Sequence, residues 1–145
     1  MLWFGNGAKK IRLRKEIKAI EKEIDRSKRF GFHFGVMVLQ VDNSIPKGLS
    51  KTLPGRTISY HVVESHLRYC DSIMLGNFFR TYYIILPQTP KFGIKAVKGR
   101  LSRFAREKNW GPLAVGAAFY PEDSDDPREL IELAVEDACS RRQPF

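Results

Sequence analysis

The apolar residues of this chain follow first a helical and then a strand-like pattern. Between residues 8 and 28 they recur mainly every three or four residues with charges between them, which predicts an amphipathic helix. Its apolar members are Ile11, Leu13, Ile17, Ile20 and Ile24. The run FGFHFGVMVLQV, residues 30–41, is apolar, aromatic and β-branched, and it predicts a buried central strand.

The middle of the chain predicts a loop, a helix and a hairpin. Residues 42–55 contain two prolines and two glycines, which indicates a loop. Residues 58–69 predict a second helix, with Ile58, Val62, Val63 and Leu67 as its apolar members. The short β-rich runs SIML, residues 72–75, and TYYIILP, residues 81–87, predict a hairpin around residues 76–80.

The last third of the chain predicts a helix, a strand and a final helix. Residues 90–107 form a basic amphipathic pattern, and PLAVGAAFYP, residues 112–121, is typical of a strand closed by proline. Residues 122–142 open with aspartates and a proline that favour a helix start, and they end with basic residues that suit the helix dipole.

The element order predicts an α+β fold with a ferredoxin-like βαββαβ core. In this arrangement helices cover one face of a central, mostly antiparallel sheet. We divide the chain into a basic amphipathic helix at residues 1–28 and a single domain at residues 29–145. A length of 145 residues suits one domain with a real core.

Charge is distributed unevenly along the chain. Residues 9–29 contain ten Lys or Arg against four acids, and residues 122–137 contain eight acids against one Arg. The net charge of +9 favours phosphate-bearing partners in general, although a solvated helix face explains the N-terminal run equally well. No apolar run approaches the roughly 20 residues that a membrane span needs, so we expect a cytoplasmic protein or a piece of a larger one.

The sequence gives little sign of metal or hydrolase chemistry. Cys70 and Cys139 are far apart and lie outside any CxxC pattern, so we expect reduced thiols. The three histidines have no metal-ligand spacing, and no serine or cysteine lies in a nucleophile motif.

Three stretches resemble the GGDEF domain of bacterial diguanylate cyclases. LAVGAAFYPEDSDDPRELIELAVEDA, residues 113–138, is similar to the strand, acidic loop and Leu-rich helix that end this domain. EIDRSKRFGFHFGVMVLQVD, residues 23–42, resembles its first helix and strand, and YYIILP resembles the strand that leaves its signature hairpin. The resemblance covers nearly the whole chain from about residue 20.

The resemblance also implies that the catalytic residues are missing. Active members have two glycines and an acidic pair at the hairpin tip; here the matching residues are 78–82 or 77–81, depending on the register. Neither register supplies a second glycine or an acid, and Phe78, Phe79 and Arg80 occupy the tip. Gln40 stands where the family has its first metal-binding Asp, and only Asp42 of that pair is present. Since Mg²⁺ needs oxygen ligands, we expect no bound metal, no cofactor and no cyclase activity.

A second site of the family matches this sequence better. Many members carry an R-x-x-D before the hairpin that binds the product, cyclic di-GMP, and this chain has Arg68 and Asp71 there. A further Arg from the neighbouring protomer usually completes the site, and Arg100 is its match. The resemblance therefore predicts a non-catalytic cyclic di-GMP receptor. A helix-end ion pair between Arg68 and Asp71 is the alternative.

Two other functions are compatible with the sequence. Phe78, Phe79 and Arg80 are suited to contact a protein partner, because aromatic residues dominate interface energetics, and self-association is a related possibility. Phe30, Phe32 and Phe34 alternate like the base-stacking residues of RNA-recognition sheets, or else they form core. Binding to RNA or DNA would also use the basic N-terminal residues, which are Lys9, Lys10, Arg12 and Arg14.

Overall fold

The computed structural model describes residues 13–41, 63–75, 81–107 and 113–140, and these form one four-stranded sheet with helices on both faces. In chain order the elements are α1 (Arg14–Phe30), β1 (Phe34–Val41), β2 (Ser72–Leu75), β3 (Thr81–Pro87), α2 (Lys91–Glu107), β4 (Leu113–Tyr120) and α3 (Pro127–Ser140). No helix within these four ranges is long and apolar enough to cross a membrane.

The sheet has the predicted antiparallel topology. Its strand order is β2-β3-β1-β4, in which every neighbouring pair is antiparallel. Phe34 at the start of β1 pairs with Pro87 of β3 and with Tyr120 of β4. The starts of β1 and β2 and the ends of β3 and β4 therefore share one end of the sheet, which we call the Phe34 end.

The first helix ends later, and the first strand begins later, than the sequence predicts. Gly31 adopts a left-handed conformation with φ 74°, and its N–H donates to the Ser27 carbonyl at 2.7 Å. Such a glycine ends a helix, so Phe30 belongs to α1. The predicted strand start at residue 30 is wrong, because β1 begins at Phe34.

Helices cover the sheet on both faces. One face packs against α2 and the segment around Val63, and the other packs against α1 and α3. The sequence predicts helices on one face of the sheet, and in the structure α2 and Val63 cover one face while the terminal helices α1 and α3 cover the second. All seven residues of β3 are consequently buried, which explains its continuous apolar sequence.

The third helix begins as the sequence predicts. Pro127 is its first residue, and the Asp126 carboxylate accepts a hydrogen bond from the Glu129 N–H at 2.9 Å. The Asp126 side chain accepts from one of the amide groups that the first helical turn leaves unpaired. Pro127 has no amide hydrogen and so needs no acceptor. The basic residues predicted near its end, Arg141 and Arg142, lie outside the described residues.

The helix predicted for residues 58–69 stops before its predicted end. Only its part from residue 63 is described; Val63 and Glu64 are helical, whereas residues 65–70 form turns and bends. The turn at residues 68–71 is closed by backbone and side-chain bonds between Arg68 and Asp71. The predicted loop at residues 42–55 and the hairpin tip at residues 76–80 lie outside the described residues.

Close packing of β4 on α3 predicts that Gly116 tolerates no side chain. A Cβ at Gly116 would overlap the Ala134 carbonyl oxygen and the Ala138 backbone nitrogen, which belong to helix backbone and have little freedom to move. We expect Gly116→Ala to lower the free energy of unfolding by roughly 1–3 kcal/mol or more, as measured by urea denaturation. Gly99→Ala is the control, since its Cβ would enter open space on α2 and should stabilise the helix by about 0.5–1 kcal/mol. Equal stability of the two variants would contradict this packing.

A buried acid in α1 predicts an unusual dependence of stability on pH. Glu16 is fully buried, and its carboxylate oxygens and the Tyr83 hydroxyl have no hydrogen-bond partner in the part of the chain that the structure describes. Burial raises the pKa of Glu16 above its ordinary value of 4.5, and its own backbone amide and the charge of Lys15 offset this only in part. Burial, together with the charge of Glu16, also raises the pKa of Tyr83.

Because folding raises the pKa of Glu16, the folded chain retains a proton that the unfolded chain releases above pH 4.5. Wild-type stability should therefore fall as the pH rises from 4.5 through the folded-state pKa. We expect Glu16→Leu to gain about 1–3 kcal/mol at pH 7 and to lose this advantage near pH 4, in urea titrations. Exposed Glu21→Leu is the control. An advantage of Glu16→Leu that is the same at both pH values would show that this carboxyl is not the cause.

Candidate functional site

The candidate site centres on the turn that precedes β2, at the Phe34 end of the sheet. The Asp71 carboxylate is 1% exposed, and it accepts hydrogen bonds from Arg68 at three donors. These are the Arg68 backbone N–H at 2.8 Å, its Nε at 3.2 Å and its Nη2 at 2.8 Å. The Asp71 N–H donates in return to the Arg68 carbonyl at 3.0 Å. One residue pair thus closes the turn through both its backbone and its side chains.

The Arg68 side chain also joins this turn to the end of β3. Its Nη2 donates to the Pro87 carbonyl at 3.0 Å and to the Thr89 hydroxyl. The Thr89 hydroxyl in turn donates to the Pro87 carbonyl at 2.8 Å. Hydrogen bonding to Asp71 raises the pKa of Arg68, and its guanidinium is charged at physiological pH as in any arginine.

Arg68 remains half-exposed although it makes all these bonds. Its side chain is 49% exposed, and its contacts with other described residues use Nε and Nη2. The guanidinium plane is therefore fixed, and part of it faces solvent. Since Nε and Nη2 are occupied, Nη1 is the nitrogen that can donate to a ligand acceptor such as guanine O6 or N7 or a phosphate oxygen.

Arg100 reaches the same segment from α2. Its Nη2 donates to the His66 carbonyl at 3.0 Å, and the His66 ring lies 4.2 Å from the Phe104 ring. The structure therefore brings Arg68 and Arg100 to one segment within a single protomer. The role that the resemblance gives to an Arg100 from the neighbouring protomer stays a prediction.

Asp71 occupies a different position from the two arginines. It lies beneath the surface with its oxygens directed at Arg68, so in this conformation its carboxylate orients the guanidinium and does not face solvent. The ion-pair alternative from the sequence is thus realised in the structure, and the pair holds a half-exposed arginine in place.

The opposite end of the sheet contains Gln40, the residue that the resemblance matches to a metal-binding position of the family. Gln40 pairs with Thr81 on one side and with Ala114 on the other. Asp42 lies outside the described residues, as do Phe78, Phe79 and Arg80. The predicted role of the hairpin tip in partner contact therefore stays a prediction.

The structure removes the aromatic face on which the RNA-binding alternative rested. Phe30 lies in α1 and Phe34 is fully buried against Tyr120, with 5.0 Å between the ring centroids. Phe32 stacks on Phe30, at 5.9 Å, and lies before the strand begins. Because helices cover both faces of β1, this strand has no open face for base stacking.

The buried Asp71 carboxylate predicts a loss of stability when its charge is removed. We expect Asp71→Asn to lower the free energy of unfolding by about 1–3 kcal/mol, because an amide cannot accept from all three Arg68 donors. Urea denaturation measures this, with Asp125→Asn as the control because Asp125 is exposed. If the two variants are equally stable, the Arg68–Asp71 pair does not hold the turn.

Comparison with known proteins identifies the fold through solved structures alone. No protein-family model matches the chain, and no curated protein matches it. A DGC protein from Thermotoga maritima superposes with a TM-score of 0.66 at 14% identity, over 83% of this chain and 89% of that one. The GGDEF domain of PA1120 from Pseudomonas aeruginosa gives 0.62 at 16% identity, over 86% and 79%.

The diguanylate cyclase SiaD of P. aeruginosa, solved with its activator SiaC, gives a TM-score of 0.67 at 19% identity. The match covers 89% of this chain and 55% of SiaD. At sequence identities this low, these structural matches establish the fold alone. The chemistry has to be argued from the residues of this chain. This chain has the α+β fold of GGDEF domains.

Proposed function

We propose that this chain is a catalytically inactive GGDEF-like domain that binds cyclic di-GMP, with Arg68 and Arg100 as the ligand contacts and Asp71 orienting Arg68. The observation that supports it most is the half-exposed Arg68 guanidinium, which is fixed by Asp71, Pro87 and Thr89 before any ligand arrives. A donor held in place loses little conformational entropy on binding, which favours affinity.

The ligand class follows from what two arginines recognise. A guanidinium binds guanine through O6 and N7 or binds phosphate through two oxygens, and cyclic di-GMP offers both kinds of acceptor. The surrounding charge has the right sign, because α2 contains six Lys or Arg and one Glu. A basic surface attracts an anionic nucleotide and raises its association rate.

The absence of cyclase activity is proposed from the residues at the other end of the sheet. Gln40 offers a neutral amide where the family has an acidic metal ligand, and the hairpin sequence NFFRTY contains no acid. Phosphoryl transfer to form a cyclic dinucleotide depends on metal ions that bridge phosphate oxygens. We therefore expect this chain to bind the product of the reaction and not to catalyse it, with no resident metal or cofactor.

A protein partner is the second candidate, and SiaD supplies the observation that favours it. That cyclase shares the fold and was solved in complex with its activator protein. Contact with a partner, or self-association, would let this domain pass on the state of its ligand site. Phe78, Phe79 and Arg80 are the proposed contact residues, in a cytoplasmic setting.

Calorimetric titration tests the proposed ligand. We expect cyclic di-GMP to bind the wild type, and Arg68→Ala and Arg100→Ala each to weaken binding about tenfold or more, as loss of a charge-assisted hydrogen bond does. Arg103→Ala is the matched control, because Arg103 is exposed on the same helix and should leave Kd within about twofold.

GTP with Mg²⁺ serves as the second control in the same titration, and we expect neither heat nor pyrophosphate release. If cyclic di-GMP gives no heat with the wild type, the receptor function is wrong. If Arg103→Ala weakens binding as much as Arg68→Ala, the basic surface binds the ligand without a defined site.

A further inference from the structure

One exposed aromatic side chain directly follows Arg68 in the chain, and another lies on the helix that carries Arg100. Among the described residues, the large hydrophobic side chains that are exposed are Phe30, Tyr69 and Phe92. Tyr69 directly follows Arg68 and is 102% exposed, whereas Phe92 lies in the first turn of α2 and is 78% exposed. Neither ring is buried within its own protomer, although burying an aromatic side chain is strongly favourable.

Hydrogen bonds hold the segments of these two rings together. The Arg68 guanidinium bonds to Thr89, three residues before Phe92. His66, three residues before Tyr69, accepts from Arg100 through its carbonyl. Residues 66–68, which directly precede Tyr69, are therefore tied both to the segment before α2 and to the middle of α2.

Small residues lie between Phe92 and Arg100 on the exposed face of α2, with the exposed Lys95 beside them. Residues spaced by four lie on one helix face, so Phe92, Ala96 and Arg100 form a stripe of roughly 12 Å. Ala96 is exposed, and at the neighbouring Gly99 an added Cβ would meet open space. The aromatic ring and the arginine at the two ends of this stripe are thus separated along the helix by the small residues Ala96 and Gly99.

We propose that Tyr69 and Phe92 are stacking platforms for the purine bases of the nucleotide that Arg68 and Arg100 bind. This inference rests on the proposed function and adds to it: the arginines contact the polar edges and phosphates, and the rings contact the faces of the bases. Stacking on an exposed aromatic ring is a common source of affinity for unpaired bases. A ligand with two bases would use both rings.

Titration of cyclic di-GMP into ring variants tests this role. We expect Tyr69→Ala and Phe92→Ala each to raise Kd about five- to one-hundred-fold. Tyr69→Phe should retain affinity within about twofold, and Tyr69→Leu should not, because only an aromatic ring stacks on a base. Because both rings are exposed, the urea midpoints of these variants should stay at the wild-type value. Phe30→Ala is the matched control, since Phe30 is an exposed aromatic residue on α1.

The outcomes separate this inference from the proposed function. If the wild type binds cyclic di-GMP and the Tyr69 and Phe92 variants bind it equally well, the stacking role is wrong and the receptor function stands. If Tyr69→Leu binds as well as Tyr69→Phe, the contact is apolar packing and not stacking. If the wild type itself does not bind, both proposals fail, and the exposed rings then suit a protein contact.

Discussion

The whole structure depends on the burial of its two central strands between two layers of helices. β1 and β3 pack against α2 on one face and against α1 and α3 on the other, so neither face of these strands is open to a ligand. Among the described residues, the two ends of the sheet and the outer helix surfaces are therefore the places where recognition could occur. One end carries Gln40, and the Phe34 end carries the turn with Arg68 and Asp71. The proposed ligand contacts lie at the Phe34 end.

The Arg68–Asp71 pair illustrates how a modest ion pair can serve a site. Exposed pairs contribute little to stability because water solvates both charges. Here the Asp71 carboxylate is buried, so water cannot replace its hydrogen bonds with Arg68. The Arg68 guanidinium is half-exposed. The Pro87 carbonyl and the Thr89 hydroxyl fix the remaining freedom of the guanidinium. The pair therefore positions a cation at the surface, which is the property that ligand binding requires.

Much of the fold could be predicted from the sequence because long apolar runs have little choice of structure. The runs SIML and TYYIILP are strands as predicted, and the element order identified the antiparallel core. The start of β1 was misplaced because the aromatic residues around Gly31 are typical of a strand, whereas the left-handed glycine ends a helix there. The burial of Glu16 could not be predicted, because an acid in an amphipathic helix is usually exposed. The hydrogen bonds from Arg68 to Pro87 and from Arg100 to His66 could not be predicted. Their acceptors are backbone carbonyls, which every residue has, so the residue types do not reveal them.

The most direct test of the central claim is to observe the arginine side chains themselves. Nitrogen-15 NMR of the guanidinium Nε–H groups should show a protected Arg68 signal without ligand, because this group donates to Asp71. On addition of cyclic di-GMP we expect the Arg68 and Arg100 signals to shift together with the same saturation curve, while Arg103 stays unchanged. An Arg68 signal that exchanges freely with water and does not move, or equal shifts of all three arginines, would contradict a preformed nucleotide site at this end of the sheet.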